Sequence, residues 1–155
     1  WPITWISAIF SYGSNPFATW PPALLPWPLT ILIIALSMLW AGRYILLSWR
    51  RPGPFHYALT ISATLLVGLL ILPQTGSYTL TFALVPAVVL LRYAASRWLQ
   101  LLIGLSLLTP WLYFALGPPF DRLIFLLIPA QFILLQELLF QIGRHRAQST
   151  ARAYS

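Results

Sequence analysis

Apart from its tyrosines, the ionisable side chains of this sequence are two carboxylates, Asp121 and Glu137, two histidines, His56 and His145, and nine arginines, and there is no cysteine. The lack of cysteine removes disulfides, thiolate metal sites and thiol nucleophiles. Two acids leave paired-carboxylate catalysis almost no material, so the residues themselves point to no catalytic group, metal or cofactor. What remains is binding chemistry. Glu137, Gln141 and Arg144 recur at i, i+4 and i+7 and share one helical face, where they suit a structural ion pair with a supporting hydrogen bond. Arg122 offers a forked donor suited to a phosphate or pyrophosphate. Its neighbour Asp121 also reads more simply, as an acid at the positive start of a helix.

These groups are set in a very apolar chain. Of its 155 residues, 59% are hydrophobic, 15% aromatic and 7% charged, where a soluble domain carries about 25% charged residues. Such a chain cannot cover a water-facing surface. It is expected to be an all-α, polytopic bundle of transmembrane helices in a cell membrane, with membrane lipid as its surroundings and no nucleic-acid partner, because its arginines are spread between apolar runs and form no single patch.

The elements that position the polar residues follow from the apolar runs. Residues 1–28 are rich in Trp, Pro, Tyr and Phe and uncharged, which suits an interfacial segment at headgroup level. Ile6 to Phe10 reads as the end of a preceding helix, stopped by Gly13 and Pro16. Since the sequence opens on Trp1 without the pattern of a signal peptide, a fragment of a longer protein is expected. Five spans follow, at 29–49, 57–72, 78–91, 98–116 and 120–142. The first is long enough for a hydrocarbon core that takes about 20 residues; it starts at Pro28 and ends at Arg50, Arg51 and the breakers Pro52, Gly53 and Pro54. The second and third are short for a perpendicular crossing and extend into their flanks or sit in thinned bilayer. Gly117 to Pro119 ends the fourth, and Gly143 ends the fifth, leaving 143–155 as a basic tail. Pro86, Pro110 and Pro129 are expected to kink their helices.

Sidedness comes from the arginines, which favour cytoplasmic loops. Arg43, Arg50, Arg51, Arg92, Arg97, Arg144, Arg146 and Arg152 fall on one side of the five-span scheme, and Arg122 alone on the other. The expected topology is N-terminus out and C-terminus in. Glu137 then lies within about two turns of the inner end of its helix, where it can pair with Arg144, Arg97 or Arg43 as a packing lock. Gln131 and Gln136 point elsewhere and suit interhelical hydrogen bonds. Both histidines sit at the inner surface, away from the helix interiors where a haem ligand is found. Asn15, the loop from Gln74 to Tyr78, and Asp121 with Arg122 emerge on the outer side.

The stretch LPQTGSYTLTFALVPAVVLLRYAASRWLQLLIGLSLLTPWLYFAL (Leu72 to Leu116), preceded by a long aliphatic span and an arginine-rich inner loop, resembles the C-terminal part of polytopic glycosyltransferases of the GT-C fold. The likeness is to the group that uses polyprenyl-phosphate-linked mannose or a similar sugar. It rests on the order and texture of the elements, with a short outer loop, Leu72 to Tyr78, entering a helix of LVPAVVLL type. The resemblance implies a prokaryotic plasma membrane and hexose transfer from polyprenyl phosphate on the extracytoplasmic side. It implies Gln74, Tyr78 and Arg122 as the contacts to the donor phosphate or sugar. The family's catalytic acid belongs to the first outer loop, and residues 1–28 hold no Asp or Glu, so the acid is expected from a preceding N-terminal part. A reading of another class is a non-enzymatic accessory subunit that packs its helices and tryptophan-rich apron into a larger membrane complex. A transporter or channel fragment is a third, and it lacks a polar stripe at mid-membrane.

Overall fold

A computed structural model describes residues 25–71, 81–94, 96–117 and 120–153, and all of its regular structure there is helical. The helices are α1 (Trp27–Arg50), α2 (Pro54–Ile71), α3 (Leu84–Tyr93, entered through a 3₁₀ turn at 81–83), α4 (Arg97–Ser106), α5 (Thr109–Leu116) and α6 (Phe120–Ala153). Three segments, Trp27–Arg50, Pro54–Ile71 and Leu126–Gly143, are long and apolar enough to cross a membrane.

Proline sets most of the helix boundaries. In α1, Pro28 occupies the first turn, where its missing N–H is no loss. At the other end Arg51 precedes Pro52, whose ring disfavours helical backbone in the residue before it; Arg51 leaves the helix at φ −136° and ψ 75°. Pro54, expected as a breaker with the helix starting at Tyr57, instead opens α2. The same ring that stops one helix pre-sets φ for the next. Arg51, Pro52 and Gly53 thus make a three-residue connection, and α1 packs back along α2 as an antiparallel hairpin.

The expected span 98–116 is broken. Pro110 has no N–H to give the carbonyl of Ser106, so α4 ends there, the turn is tightened by bonds from Leu107 N to Gly104 O (3.1 Å) and Leu108 N to Leu105 O (3.0 Å), and the Thr109 hydroxyl bonds Ser106 O at 2.7 Å. Pro110 therefore starts α5 where it was expected to kink a helix, and Pro86 likewise lies in the first turn of α3. Pro129 alone of the three lies inside a helix. Of the segment expected at 78–91, the described part from Thr81 is apolar and helical and runs on to Tyr93.

Gly143 does not end the last helix. Its φ is not positive, as only that of Gly117 is among the described residues, and it is followed by Arg, Ala and Gln, which favour helix. A helix-interior glycine costs only about 1 kcal/mol there. The segment expected as a tail therefore continues α6 to Ala153, making it 34 residues long, about 51 Å. Gly117 does end α5, at φ +69°, a left-handed position that L side chains resist. Nothing lies within 4 Å of an added Cβ there, so Gly117→Ala should cost about 1–2 kcal/mol from backbone strain alone, read as a lower unfolding midpoint in detergent micelles.

The core joins α2, α3, α4 and α6, with Ala41 and Tyr44 of α1 at its side. In α6, Ile128, Phe132, Leu135 and Leu139 form one buried stripe at spacings of four, three and four. They meet Leu59, Ala63 and Leu66 of α2, Leu90 of α3, and Leu99 and Ile103 of α4. In α1 the pattern is inverted: the buried residues are Thr30, Ser37, Ala41, Tyr44 and Ser48, while Leu36, Leu39 and Trp49 are 56%, 72% and 81% exposed. In water such a helix would turn the other way. Small and hydroxyl-bearing residues at helix contacts, with aliphatic residues outward, are what packing within lipid favours. Trp27 and Trp49, both exposed, stand about 33 Å apart along α1 at 1.5 Å per residue, the separation of the two aromatic belts of a bilayer with a core of about 30 Å.

Candidate functional site

Trp40, Arg43 and Tyr44 follow one another at i, i+3 and i+4 on α1 and present one face toward α6, where Glu137 and Gln141 are spaced by four. The two sets meet. Arg43 Nη2 lies 2.6 Å from Glu137 Oε2, and the same oxygen accepts from the Tyr44 hydroxyl at 3.2 Å and from Trp40 Nε1 at 3.4 Å. Glu137 Oε1 accepts from Gln141 Nε2 at 3.3 Å. The contact to Arg43 is the short one, and as a charge-assisted bond it dominates; the others are longer than ideal.

Aromatic rings wall this carboxylate. Tyr44 is 1% exposed and takes edge-to-face positions against Trp40 at 5.1 Å and Phe140 at 5.6 Å. The Arg43 guanidinium sits 5.1 Å from the Tyr44 ring and 5.3 Å from that of Phe140, a cation–π arrangement that partly replaces water. The Thr60 hydroxyl bonds the Tyr44 carbonyl at 3.0 Å and the His56 carbonyl at 2.9 Å, so α2 holds α1 in register beside the ion pair.

Two further polar contacts sit on other sides of α6. Gln136 is fully buried; it accepts from the Ser62 hydroxyl at 2.6 Å and donates to Leu59 O at 2.9 Å, both on α2. Gln131 donates to Ser106 Oγ at 2.9 Å and accepts from Thr109 Oγ1 at 3.0 Å, clasping the break between α4 and α5. Three polar positions of α6 thus each address a different neighbour. Apolar contacts inside a bilayer have no aqueous driving force to orient them, so these bonds fix which face of α6 meets which helix.

Chemically, Glu137 is a committed group. A carboxylate has about four acceptor sites, and here four donors converge on it. Three of the four fall on Oε2 and one on Oε1, so the group serves as an anchor between α1 and α6. The sequence-derived pairing of Glu137 with Gln141 is present, and of the arginines considered as partner the structure brings Arg43. Arg144 and Arg122 belong to α6, with side chains outside the described residues; Gln74, Tyr78 and Asn15 lie outside them altogether. Sequence reasoning missed Trp40 and Tyr44. The signal was there: an arginine seven residues inside the end of an apolar span, flanked at −3 and +1 by aromatics with polar tips.

A second geometric feature concerns the chain's path. Phe55 near the start of α2, Tyr93 at the end of α3, Ser96 and Leu99 at the start of α4, and Leu139 and Gly143 of α6 surround one small cavity of about 80 Å³. These four helix regions therefore share one end of the bundle, and Arg50, Arg51, Arg92 and Arg97 flank them in sequence. Ser96 caps α4 there, accepting from Leu99 N at 3.4 Å. Comparison of the chain with protein-family models, with curated proteins and with solved structures finds no match.

Proposed function

We propose that this chain is the membrane-embedded, later part of a lipid-linked-sugar transferase that moves a hexose from polyprenyl phosphate on the outer face of a prokaryotic plasma membrane. Five crossings, with the basic end in the cytoplasm, fit this reading. The observation that carries it is the shared end described above. Between α2 and α6 the chain lies at the basic end at Tyr93 and Ser96, which supports reading α3 and the broken α4–α5 pair as a third and a fourth pass. The use of Glu137 as the anchor between α1 and α6 agrees with a bundle that builds the donor groove and takes its catalytic carboxylate from elsewhere in the protein. Gln74, Tyr78 and Arg122 are the residues proposed to meet the donor phosphate or sugar; the GT-C resemblance of Leu72 to Leu116 supplies the first two, and Arg122 joins them as a forked donor expected on the same outer side.

The test is transfer of labelled mannose from polyprenyl phosphate by membranes expressing the complete open reading frame. Arg122→Ala and Gln74→Ala should each lower kcat/KM by about tenfold or more, the size of a lost charged hydrogen bond, with unchanged protein in the membrane. Full activity in both variants would remove the site assignment. A second reading is a non-enzymatic subunit of a larger membrane complex, in which the outward face of α1, with Leu39 at 72% and Trp49 at 81% exposure, meets a partner helix in place of lipid. It requires copurification of the chain with a fixed partner and no transfer activity.

A further inference from the structure

We propose that the outer face of α4 is a binding site for one anionic phospholipid of the basic-end leaflet, with the phosphate at Arg97 and one acyl chain along Leu101, Gly104, Leu105 and Leu108. Those residues, with Gln100, line a groove of about 520 Å³, a size typical of ligand sites. They recur at three- and four-residue intervals, so they form one stripe. Its two ends differ in chemistry. At the start of α4 stand the exposed Arg97 guanidinium and Gln100, whose side chain is oriented by a bond from Nε2 to Ala94 O at 3.0 Å. Beyond them the stripe is apolar and open: Leu101, Leu105 and Leu108 are 56%, 58% and 61% exposed.

Length decides the occupant. From Arg97 to Leu108 the stripe runs about 16 Å, close to half of a hydrocarbon core of about 30 Å. It stops at the Leu107–Leu108 break. A membrane-crossing helix from a partner would need a face of twice that length, whereas a phospholipid fills one leaflet from headgroup to chain end. Trp98, next to Arg97 and 77% exposed, is the residue type that marks headgroup level, and the positive start of α4 adds to the attraction for phosphate. Gly104 widens the groove at its middle, since a Cβ placed there meets nothing within 4 Å.

The inference rests on the proposed function only through placement in a membrane, and its test contains no sugar transfer. Native mass spectrometry of the full chain in detergent, titrated with dioleoylphosphatidylglycerol or dioleoylphosphatidylcholine, reads retained lipid. The wild type should hold one phosphatidylglycerol about tenfold more tightly than phosphatidylcholine. Arg97→Gln should lose that preference, and Arg97→Lys should keep most of it, because the charge contributes the larger share. Gly104→Leu, which fills the groove from its open side, should weaken retention of both lipids with helix content unchanged. Equal retention of the two lipids by the wild type, an unaltered preference in Arg97→Gln, or unaltered retention in Gly104→Leu would each overturn the site. Absence of sugar transfer by the wild type, with its lipid retention as expected, would count against the transferase reading alone.

Discussion

Glu137→Leu is expected to destabilise the bundle by about 2–3 kcal/mol, measured as the shift in unfolding midpoint when the purified protein is titrated from mild detergent into dodecyl sulfate. The physical cause is the charge left behind. Arg43 stands seven residues from the end of α1, about 10 Å inside it, and an unpaired arginine near the centre of a membrane helix costs about 2.5–3.5 kcal/mol on insertion scales. Breaking one half of a buried pair costs about 3–5 kcal/mol. Both figures are discounted here, because the side chains of Arg43 and Glu137 are 44% and 26% exposed and a freed arginine can stretch toward headgroups. Arg43→Leu should cost less, about 1–2 kcal/mol, since Glu137 keeps its other three donors and can take up a proton. The double variant Arg43→Leu/Glu137→Leu should be more stable than the sum of the single losses by about 1–2 kcal/mol. Strict additivity of the two would show that the pair is not coupled and that the contact fixes nothing.

Tyr44→Ala should have an effect of similar size, about 3 kcal/mol, at the low end for deleting a buried aromatic ring. In lipid the transfer of apolar surface contributes little, so the loss comes from the cavity and from two edge-to-face contacts worth about 0.5–1.5 kcal/mol each. Tyr44→Phe keeps both ring contacts and gives up the hydroxyl. At 3.2 Å from Glu137 Oε2, longer than a good O–H···O bond, that hydroxyl should contribute only about 1 kcal/mol. The same dodecyl sulfate titration separates the two substitutions. Equal losses would mean that the hydrogen bond, and not the ring packing, holds α1 against α6.

What the sequence shows and what it hides divide along local and non-local physics. The helical nature of the chain, the stretch opened by Pro28, the end at Arg51, and the common face of Glu137 and Gln141 are local and were legible. The breaks around proline were half legible, because the residue type says that a carbonyl loses its partner without saying whether the helix bends, as expected at Pro110, or restarts, as it does. Pro54 shows the same ambiguity at the entry to α2. Gly143 was misleading because termination depends on its φ, and the favourable residues after it keep that φ helical. That Arg43 meets Glu137 depends on how α1 is rotated against α6. That rotation is set by distant contacts, such as the Thr60 hydroxyl on the Tyr44 carbonyl.

The continuity of α6 changes what the basic segment at its end can do. A loose tail of arginines would sample many positions and act only as a diffuse cloud of charge. An uninterrupted helix is a strut: at about 100° per residue, the backbone position of Arg144 falls within about 20° of that of Glu137 around the axis. The segment from Gly143 to Ala153 extends the helix by about 15 Å. The arginines of that arm are therefore held at fixed angles about the same axis as Glu137, the residue that ties α6 to Arg43 of α1.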